Sequence, residues 1–130
     1  MIVLDTNVLI ELELGNPKII EKLVELRKNH TENPAIPFIC FSEFYYGLLK
    51  KGKNVGDGLN LLEKFTKLHS SEKSMKLIAE IKLDLEKSGS MIQLFEIIIA
   101  AITIDHKATL VTSDKGFEKV DGLDVVLINP

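Results

Sequence analysis

Apolar and polar residues alternate along the chain in short blocks that have two different periods. Five short segments, most of them apolar and rich in β-branched residues, have the length of strands: 2–4, 36–41, 68–70, 109–112 and 125–128. Apolar residues at the spacing of one helix face recur in segments 17–29, 58–67, 71–88 and 94–105, and a further helix is predicted between Ser42 and Gly52. Strands that alternate with helices predict an α/β fold, a three-layer α/β/α sandwich with a parallel sheet of about five strands.

Local start and stop signals support several of these helices. Asn16 is a suitable N-cap and Pro17 a suitable first helical residue, while Ser71 is a candidate cap for the longest helix. Gly89 is placed to end that helix. Segment 94–105 is apolar nearly all round, so we predict that it is buried.

Length and composition predict one globular domain, residues 1–130. Of the 130 residues 45% are hydrophobic and 27% charged, which excludes a disordered chain. The single cysteine, Cys40, cannot form an internal disulfide and is expected in the core, and a cytoplasmic location is predicted. No apolar run approaches the ~20 residues of a membrane span, so we expect a soluble protein without a membrane partner.

The overall charge does not favour nucleic acid. Sixteen Lys and Arg residues against nineteen Asp and Glu residues give a formal net charge of −3. Any nucleic acid must therefore bind through a local patch. The densest basic cluster is Lys50, Lys51 and Lys53, which equally fits the solvated end of a helix.

Acidic residues follow three of the predicted strands. Asp5, Glu43 and Asp114 stand at or just beyond strand ends, and Glu96 lies in the first turn of the buried helix. Ligands of open parallel sheets bind beyond the carboxyl ends of the strands, so these acids could share one pocket, although their spacing alone does not prove it.

Carboxylates that did converge would need a counter-charge. Two of them ~4 Å apart repel by about 4 kcal/mol at an effective dielectric constant near 20. His30, His69 and His106 are scattered, so no zinc site is expected. Clustered carboxylate oxygens favour Mg²⁺ or Mn²⁺, and such a cluster indicates hydrolysis of phosphodiester bonds.

Each acid also has a purely structural explanation. Asp5 could cap the segment that follows it, Glu43 and Glu96 could answer a helix dipole, and Asp114 could cap a short helix toward Phe117.

Four segments of the sequence resemble, in order, the motifs of PIN-domain ribonucleases, especially the VapC-like toxins of toxin–antitoxin pairs. They are Ile2-Val3-Leu4-Asp5-Thr6-Asn7, Phe41-Ser42-Glu43-Phe44 with Gly47, Phe95-Glu96-Ile97-Ile98-Ile99-Ala100-Ala101, and Leu110-Val111-Thr112-Ser113-Asp114 with Phe117. The similarity covers essentially the whole chain. One departure is that the family usually has Asp where this chain has Glu96.

The resemblance implies a Mg²⁺- or Mn²⁺-dependent endoribonuclease. The metal ligands it implies are Asp5, Glu43, Glu96 and Asp114, and the residues that position substrate or water are Thr6, Asn7, Thr112 and Ser113. It further implies an RNA substrate, a homodimer, and a cognate antitoxin with an Arg that reaches the acids.

Three alternatives stay open at the level of sequence. The chain could be a PIN-like nuclease of RNA maturation or decay without an antitoxin. It could be a metal-poor PIN-like binding module, an idea prompted by Glu96. A phosphatase with an aspartyl nucleophile is disfavoured because Asn7 stands where such enzymes have a second acid.

Overall fold

The computed structural model describes residues 1–129. Five strands form a single parallel sheet: β1 (Ile2–Leu4), β2 (Ala35–Pro37), β3 (Thr66–Leu68), β4 (Thr109–Thr112) and β5 (Asp124–Leu127). The helices are α1 (Thr6–Glu13), α2 (Pro17–Arg27), α3 (Phe38–Lys51), α4 (Val55–Glu63), α5 (Glu72–Lys87) and α6 (Leu94–Asp105). A short 3₁₀ helix, Lys115–Lys119, precedes β5. The predicted three-layer α/β fold with a five-stranded parallel sheet is confirmed.

The order of the strands creates a switch point beside β1. The order is β3-β2-β1-β4-β5, so the chain runs outward from β1 through β2 to β3 and then crosses to the opposite side of β1 to form β4. The first and fourth strands are therefore neighbours, with Leu4 paired with Val111. The Asp5 amide continues this ladder by donating to the Val111 carbonyl at 3.1 Å. Loops that leave such neighbouring strands in opposite directions open a crevice at their carboxyl ends.

The central strands and α6 supply much of the core. All three residues of β1 are fully buried, as is expected of a strand covered on both faces. Helix α6 spans Leu94–Asp105, as its apolar pattern predicts, and Ala100, Ala101 and Ile102 are fully buried. The helix is thereby fixed against the sheet, and its first turn lies at a defined place.

The second strand is shorter than the sequence predicts. Segment 36–41 was expected to be a strand, but β2 ends at Pro37 and α3 begins at Phe38, so Ser42 lies inside the helix and does not cap it. A continuous apolar run does not distinguish a strand from the start of a buried helix. The helical spacing of Cys40, Phe44 and Leu48, all buried on α3, carries the correct signal.

The remaining differences are small shifts and one unpredicted helix. Helix α1 was not predicted, α4 begins three residues before the predicted 58–67, and β3 precedes the predicted 68–70 by two residues. Ser71 caps α5 as expected, accepting from the Ser74 amide at 3.1 Å. Gly89, with φ of 71°, follows the C-cap residue Ser88. Among residues 1–129, no helix has the length and apolar composition that crossing a membrane requires.

Candidate active site

Four acidic side chains line one cavity at the carboxyl edge of β1 and β4. Asp5 follows β1 directly, and Asp114 lies two residues beyond β4. Glu43 reaches the cavity from the second turn of α3, and Glu96 from the first turn of α6. The cavity has a volume of about 270 Å³ and is lined by Asp5, Thr6, Asn7, Ile10, Glu43, Gln93, Phe95, Glu96, Ile99 and Asp114.

Asp5 is the most buried of the four acids and accepts the most hydrogen bonds. It is 6% exposed. Its Oδ2 accepts from Thr112 Oγ1 at 2.6 Å and from Asn7 Nδ2 at 3.1 Å, and its Oδ1 accepts from the Thr6 amide at 2.8 Å. The Asp5 carboxyl group is therefore held in one orientation by three elements of the structure, the end of β1, the start of α1 and the end of β4.

Hydroxyl and amide groups connect this carboxylate to the rest of the cavity. Thr6 Oγ1 donates to Glu43 Oε1 at 2.9 Å, which ties α1 to α3. Asn7 Oδ1 accepts from the Ser113 amide at 3.2 Å, which ties α1 to the loop after β4. Thr112 Oγ1 accepts from the Asp114 amide at 3.0 Å while it donates to Asp5. These bonds span up to 107 residues of sequence and fix the relative positions of the acids.

Three of the four acids also make the local contacts that the structural explanations predicted. Asp5 is the N-cap residue of α1. Asp114 is the N-cap of the 3₁₀ helix, its Oδ1 accepting from the Gly116 amide at 2.8 Å. Glu96 Oε2 accepts from the Gln93 amide at 3.2 Å, at the start of α6. The same acids can therefore cap helices and line the cavity, because these helices start at the same edge of the sheet.

The cavity disfavours negative charge on two of its acids. Burial raises the pKa of Asp5, the hydrogen bond from Thr112 opposes that rise, and the nearby Asp114 carboxylate adds to it. Burial also raises the pKa of Glu96, and so does Asp114, with which Glu96 can share a hydrogen bond when one of the two carries a proton. Burial beneath the site, together with the charge of Asp5, raises the pKa of the Cys40 thiol, whose Sγ lies 3.9 Å from Asp5 Oδ1.

In the described part of the chain, no positive side chain offsets the charge of these acids. The lining contains no Lys, Arg or His, and within residues 1–129 none of the four acids forms an ion pair. A larger cavity, of about 590 Å³, is also lined by acids, Glu13 and Asp57. In that cavity the charge of Glu13 is compensated by Lys51, whose Nζ lies 3.7 Å from Glu13 Oε1. Excess negative charge is therefore a property of the smaller cavity.

The donor set fits a hydrated divalent cation. As the side chains stand in the described part of the chain, no three His, Cys, Asp or Glu groups could together hold a metal ion. Mg²⁺ does not need three, since it usually keeps several waters and binds one or two carboxylates directly. Four carboxylates, two with raised pKa values, supply hard oxygen ligands and the charge that such an ion would neutralise.

The structure brings together most of the residues that the sequence singled out. Thr6 and Asn7 line the cavity with the four acids, whereas Thr112 and the Ser113 amide support it from behind through their bonds to Asp5 and Asn7. The roles that the sequence suggests for these residues remain predictions. Glu43 lies on a helix and not at a strand end, because α3 begins five residues before it.

Sequence reasoning missed four lining residues, Ile10, Gln93, Phe95 and Ile99. Phe95 was quoted only as part of a motif, although an aromatic residue directly before the acid of a first helical turn is a visible signal. Ile10 and Gln93 carry no such signal, since their place depends on how α1 and α6 approach each other.

Comparison with known protein families and structures shows the family of the chain. The model of the PIN domain family matches residues 2–123, nearly the whole chain. The chain belongs to the PIN domain family. The resemblance that its motifs show to VapC-like PIN proteins is thus confirmed. Comparison of the sequence with curated proteins gives no match.

Several solved PIN-fold structures are similar over nearly the full length of both chains. VapBC2 from Rickettsia felis, bound to a DNA fragment from its promoter, has a chain of 26% identity and TM-score 0.83, with 99% of this chain and 100% of that one covered. FitAcB from Neisseria gonorrhoeae gives 27% identity and TM-score 0.81, with 96% of each chain covered. VapBC-1 from nontypeable Haemophilus influenzae gives 25% identity and TM-score 0.80, with 98% of each chain covered.

Proposed function

We propose that this PIN domain is a divalent-metal-dependent endoribonuclease and the toxin of a toxin–antitoxin pair. The observation that carries the proposal is the convergence of Asp5, Glu43, Glu96 and Asp114 on one cavity, which no basic side chain of residues 1–129 lines. PIN domains are generally nucleases, and a phosphodiester is a substrate whose hydrolysis such a site can promote.

Mg²⁺ or Mn²⁺ would be held by oxygens of Asp5, Glu43, Glu96 and Asp114, directly or through waters. When bound, such an ion lowers the pKa of water and neutralises charge that develops on phosphoryl oxygens. Glu96 Oε2 accepts a hydrogen bond from the Gln93 amide, so Oε1 is the oxygen that would bind the ion directly.

The neutral residues keep the acids in position. Thr112 and Asn7 orient Asp5, and Thr6 orients Glu43. The Ser113 amide donates to Asn7 and so helps to hold Asn7 beside Asp5, and we infer that the Ser113 hydroxyl helps to place water or a phosphate. No side-chain nucleophile is needed.

The proposed partners follow from the similar structures. The similar structures include members of the VapBC family of toxin–antitoxin systems, a toxin–antitoxin complex from Klebsiella pneumoniae, and DNA-bound VapBC2 and FitAB. We infer a cognate antitoxin for this chain and a homodimer of it. An Arg from the antitoxin could bind a carboxylate of the acidic cavity through two hydrogen bonds and supply the missing positive charge. Light scattering of the isolated chain tests the dimer, and copurification with the product of an adjacent reading frame tests the antitoxin.

Metal-dependent cleavage of RNA is the decisive measurement. The wild-type protein should cut structured RNA with Mg²⁺ or Mn²⁺ and stop when excess chelator is added. Asp5→Asn should abolish cleavage while its circular dichroism spectrum is retained. Asp121→Asn, at an exposed acid outside the cavity, is the matched control and should cleave normally. Full activity of Asp5→Asn, or of the wild type in chelator, would refute the proposal.

A second candidate function is a metal-poor binding module. The bond between Glu96 and the Gln93 amide favours it, since it occupies one potential ligand oxygen. Calorimetric titration with Mn²⁺ separates the two functions, because a binding module would give no heat and no thermal stabilisation. A PIN nuclease without an antitoxin would cleave RNA but would lack a copurifying partner and would not arrest growth when expressed alone.

A further inference from the structure

Phe95 is an exposed aromatic side chain at the lip of the acidic cavity. It is the second residue of α6, directly before Glu96, and is 48% exposed. It lines the same cavity as the four acids. The helix behind it is anchored, because Ala100, Ala101 and Ile102 are fully buried. Phe95 is therefore held at a fixed place with its apolar surface exposed to solvent. Covering that surface with another apolar group would be favourable in free energy.

The charge of the cavity restricts what can hold RNA there. Of the lining residues four are acids and none is basic. A phosphate backbone entering this cavity meets repulsion from the protein and attraction only from a bound divalent ion. The other contacts close to the reacting phosphate must therefore come from uncharged groups that bind bases or sugars.

Of the uncharged polar side chains in the lining, Asn7 and Thr6 are already engaged with the carboxylate network, which leaves the exposed side chain of Gln93. Both ends of the Asn7 amide already bond to Asp5 and to the Ser113 backbone, and the Thr6 hydroxyl donates to Glu43. Phe95 and Ile10, the latter 40% exposed, offer open apolar surface. Proteins hold unpaired bases by stacking them on aromatic rings, and stacking tolerates any base because every base has a π-face.

We propose that Phe95 is a specificity-determining residue that stacks an unpaired RNA base beside the bond to be cleaved. The inference rests on the proposed ribonuclease function. It makes cleavage depend on an unpaired base at one fixed offset from the cut, a requirement that the carboxylates themselves do not impose. An apolar segment of a partner protein is the competing occupant, and the experiments below distinguish it.

The first experiment is a cycle of protein and RNA changes. Short single-stranded RNAs of random sequence are cleaved with Mn²⁺, and a preferred substrate is resynthesised with a single abasic site at each position in turn. Loss of one base–aromatic stack should lower kcat/KM about 10-fold or more, both for Phe95→Leu on intact RNA and for the wild type on one abasic RNA. Combining the two changes should cost little more than either alone, and Phe95→Trp should restore the rate. Leu94→Ala is the matched control, since Leu94 is 56% exposed but lies in a different groove.

The second experiment uses the absence of tryptophan from the sequence. In a cleavage-deficient Glu43→Gln background, Phe95→Trp introduces a single tryptophan whose fluorescence a stacked base should quench. Leu94→Trp in the same background should change little when the same RNA is added.

The outcomes separate this inference from the proposed function. If the wild type shows no metal-dependent cleavage, the ribonuclease proposal fails and this inference fails with it. If the wild type cleaves and Phe95→Leu cleaves equally well with the same positional preference, only the role of Phe95 is overturned. Unchanged cleavage by Phe95→Leu together with weakened antitoxin binding would assign this side chain to protein docking instead.

Discussion

Replacing Thr112 by valine removes one hydroxyl from the centre of the carboxylate network and keeps the volume of the side chain. Thr112 is fully buried at the end of β4. Its Oγ1 donates to Asp5 Oδ2 at 2.6 Å and accepts from the Asp114 amide at 3.0 Å. Valine can do neither, so the Thr-to-Val change is conservative in shape and not in chemistry.

The expected cost follows from these two bonds. A hydrogen bond to a charged group contributes about 1.5–3 kcal/mol to stability, and an ordinary one about 0.5–1.5 kcal/mol. No cavity is created, so Thr112→Val should lower the free energy of unfolding by about 2–4 kcal/mol. At ~4 °C for each kcal/mol in a domain of this size, Tm should fall by about 8–16 °C. The pKa of Asp5 should rise further, because the bond from Thr112 is the largest influence that lowers it.

The assay combines thermal unfolding with NMR titration of the Asp5 carboxyl carbon. Thr103→Val is the matched control, since Thr103 is also fully buried but its Oγ1 donates to the Ile99 carbonyl within α6. That carbonyl lies one helical turn back, and such a bond adds little to helix stability, so Tm should change by only a few degrees.

The pH dependence provides a further check. Protonated Asp5 makes weaker, uncharged hydrogen bonds, so the difference between wild type and Thr112→Val should narrow as pH falls toward the ordinary Asp pKa of 3.8. Equal losses of Tm in the two Thr-to-Val variants, or an unchanged pKa of Asp5, would refute the assignment of Thr112 as the group that stabilises the Asp5 carboxylate.

Two further predictions test the electrostatics and the caps. Because the folded-state pKa of Asp5 is raised, Asp5 favours the folded state most below pH 3.8, and its contribution is lost as pH rises through the folded pKa. Bound Mn²⁺ should offset this loss of stability. Calorimetry should show that the affinity for Mn²⁺ rises with pH and that binding releases protons, whereas an affinity independent of pH would contradict the prediction. Ser71→Ala should lower the free energy of unfolding by about 1–2 kcal/mol, because Ser71 Oγ caps α5 and donates to Asp105 at 2.7 Å. Chemical denaturation measures this loss, and an altered Mn²⁺ affinity would show that the effect is not local.

Local patterns were enough to predict most elements of the fold. Residues 94–105 and 109–112 were predicted with the bounds that α6 and β4 have, because a helical or extended period is a property of neighbouring residues. The prediction failed at Phe38, where an unbroken apolar run continues from a strand into a helix and the period changes without a polar residue to mark it.

The sequence by itself determined the α/β class, the order of its elements, and four acids placed near the starts of helices or the ends of strands. Only the tertiary structure decided that these acids share a cavity, because that depends on β4 crossing to the free side of β1 and placing Thr112 2.6 Å from Asp5. It also decided that, among residues 1–129, no basic side chain lines this cavity and that Phe95 stays open to solvent. The periodicity of a segment indicates which of its side chains face the core and which face water. The packing of segments that are distant in sequence determines which polar groups come into contact.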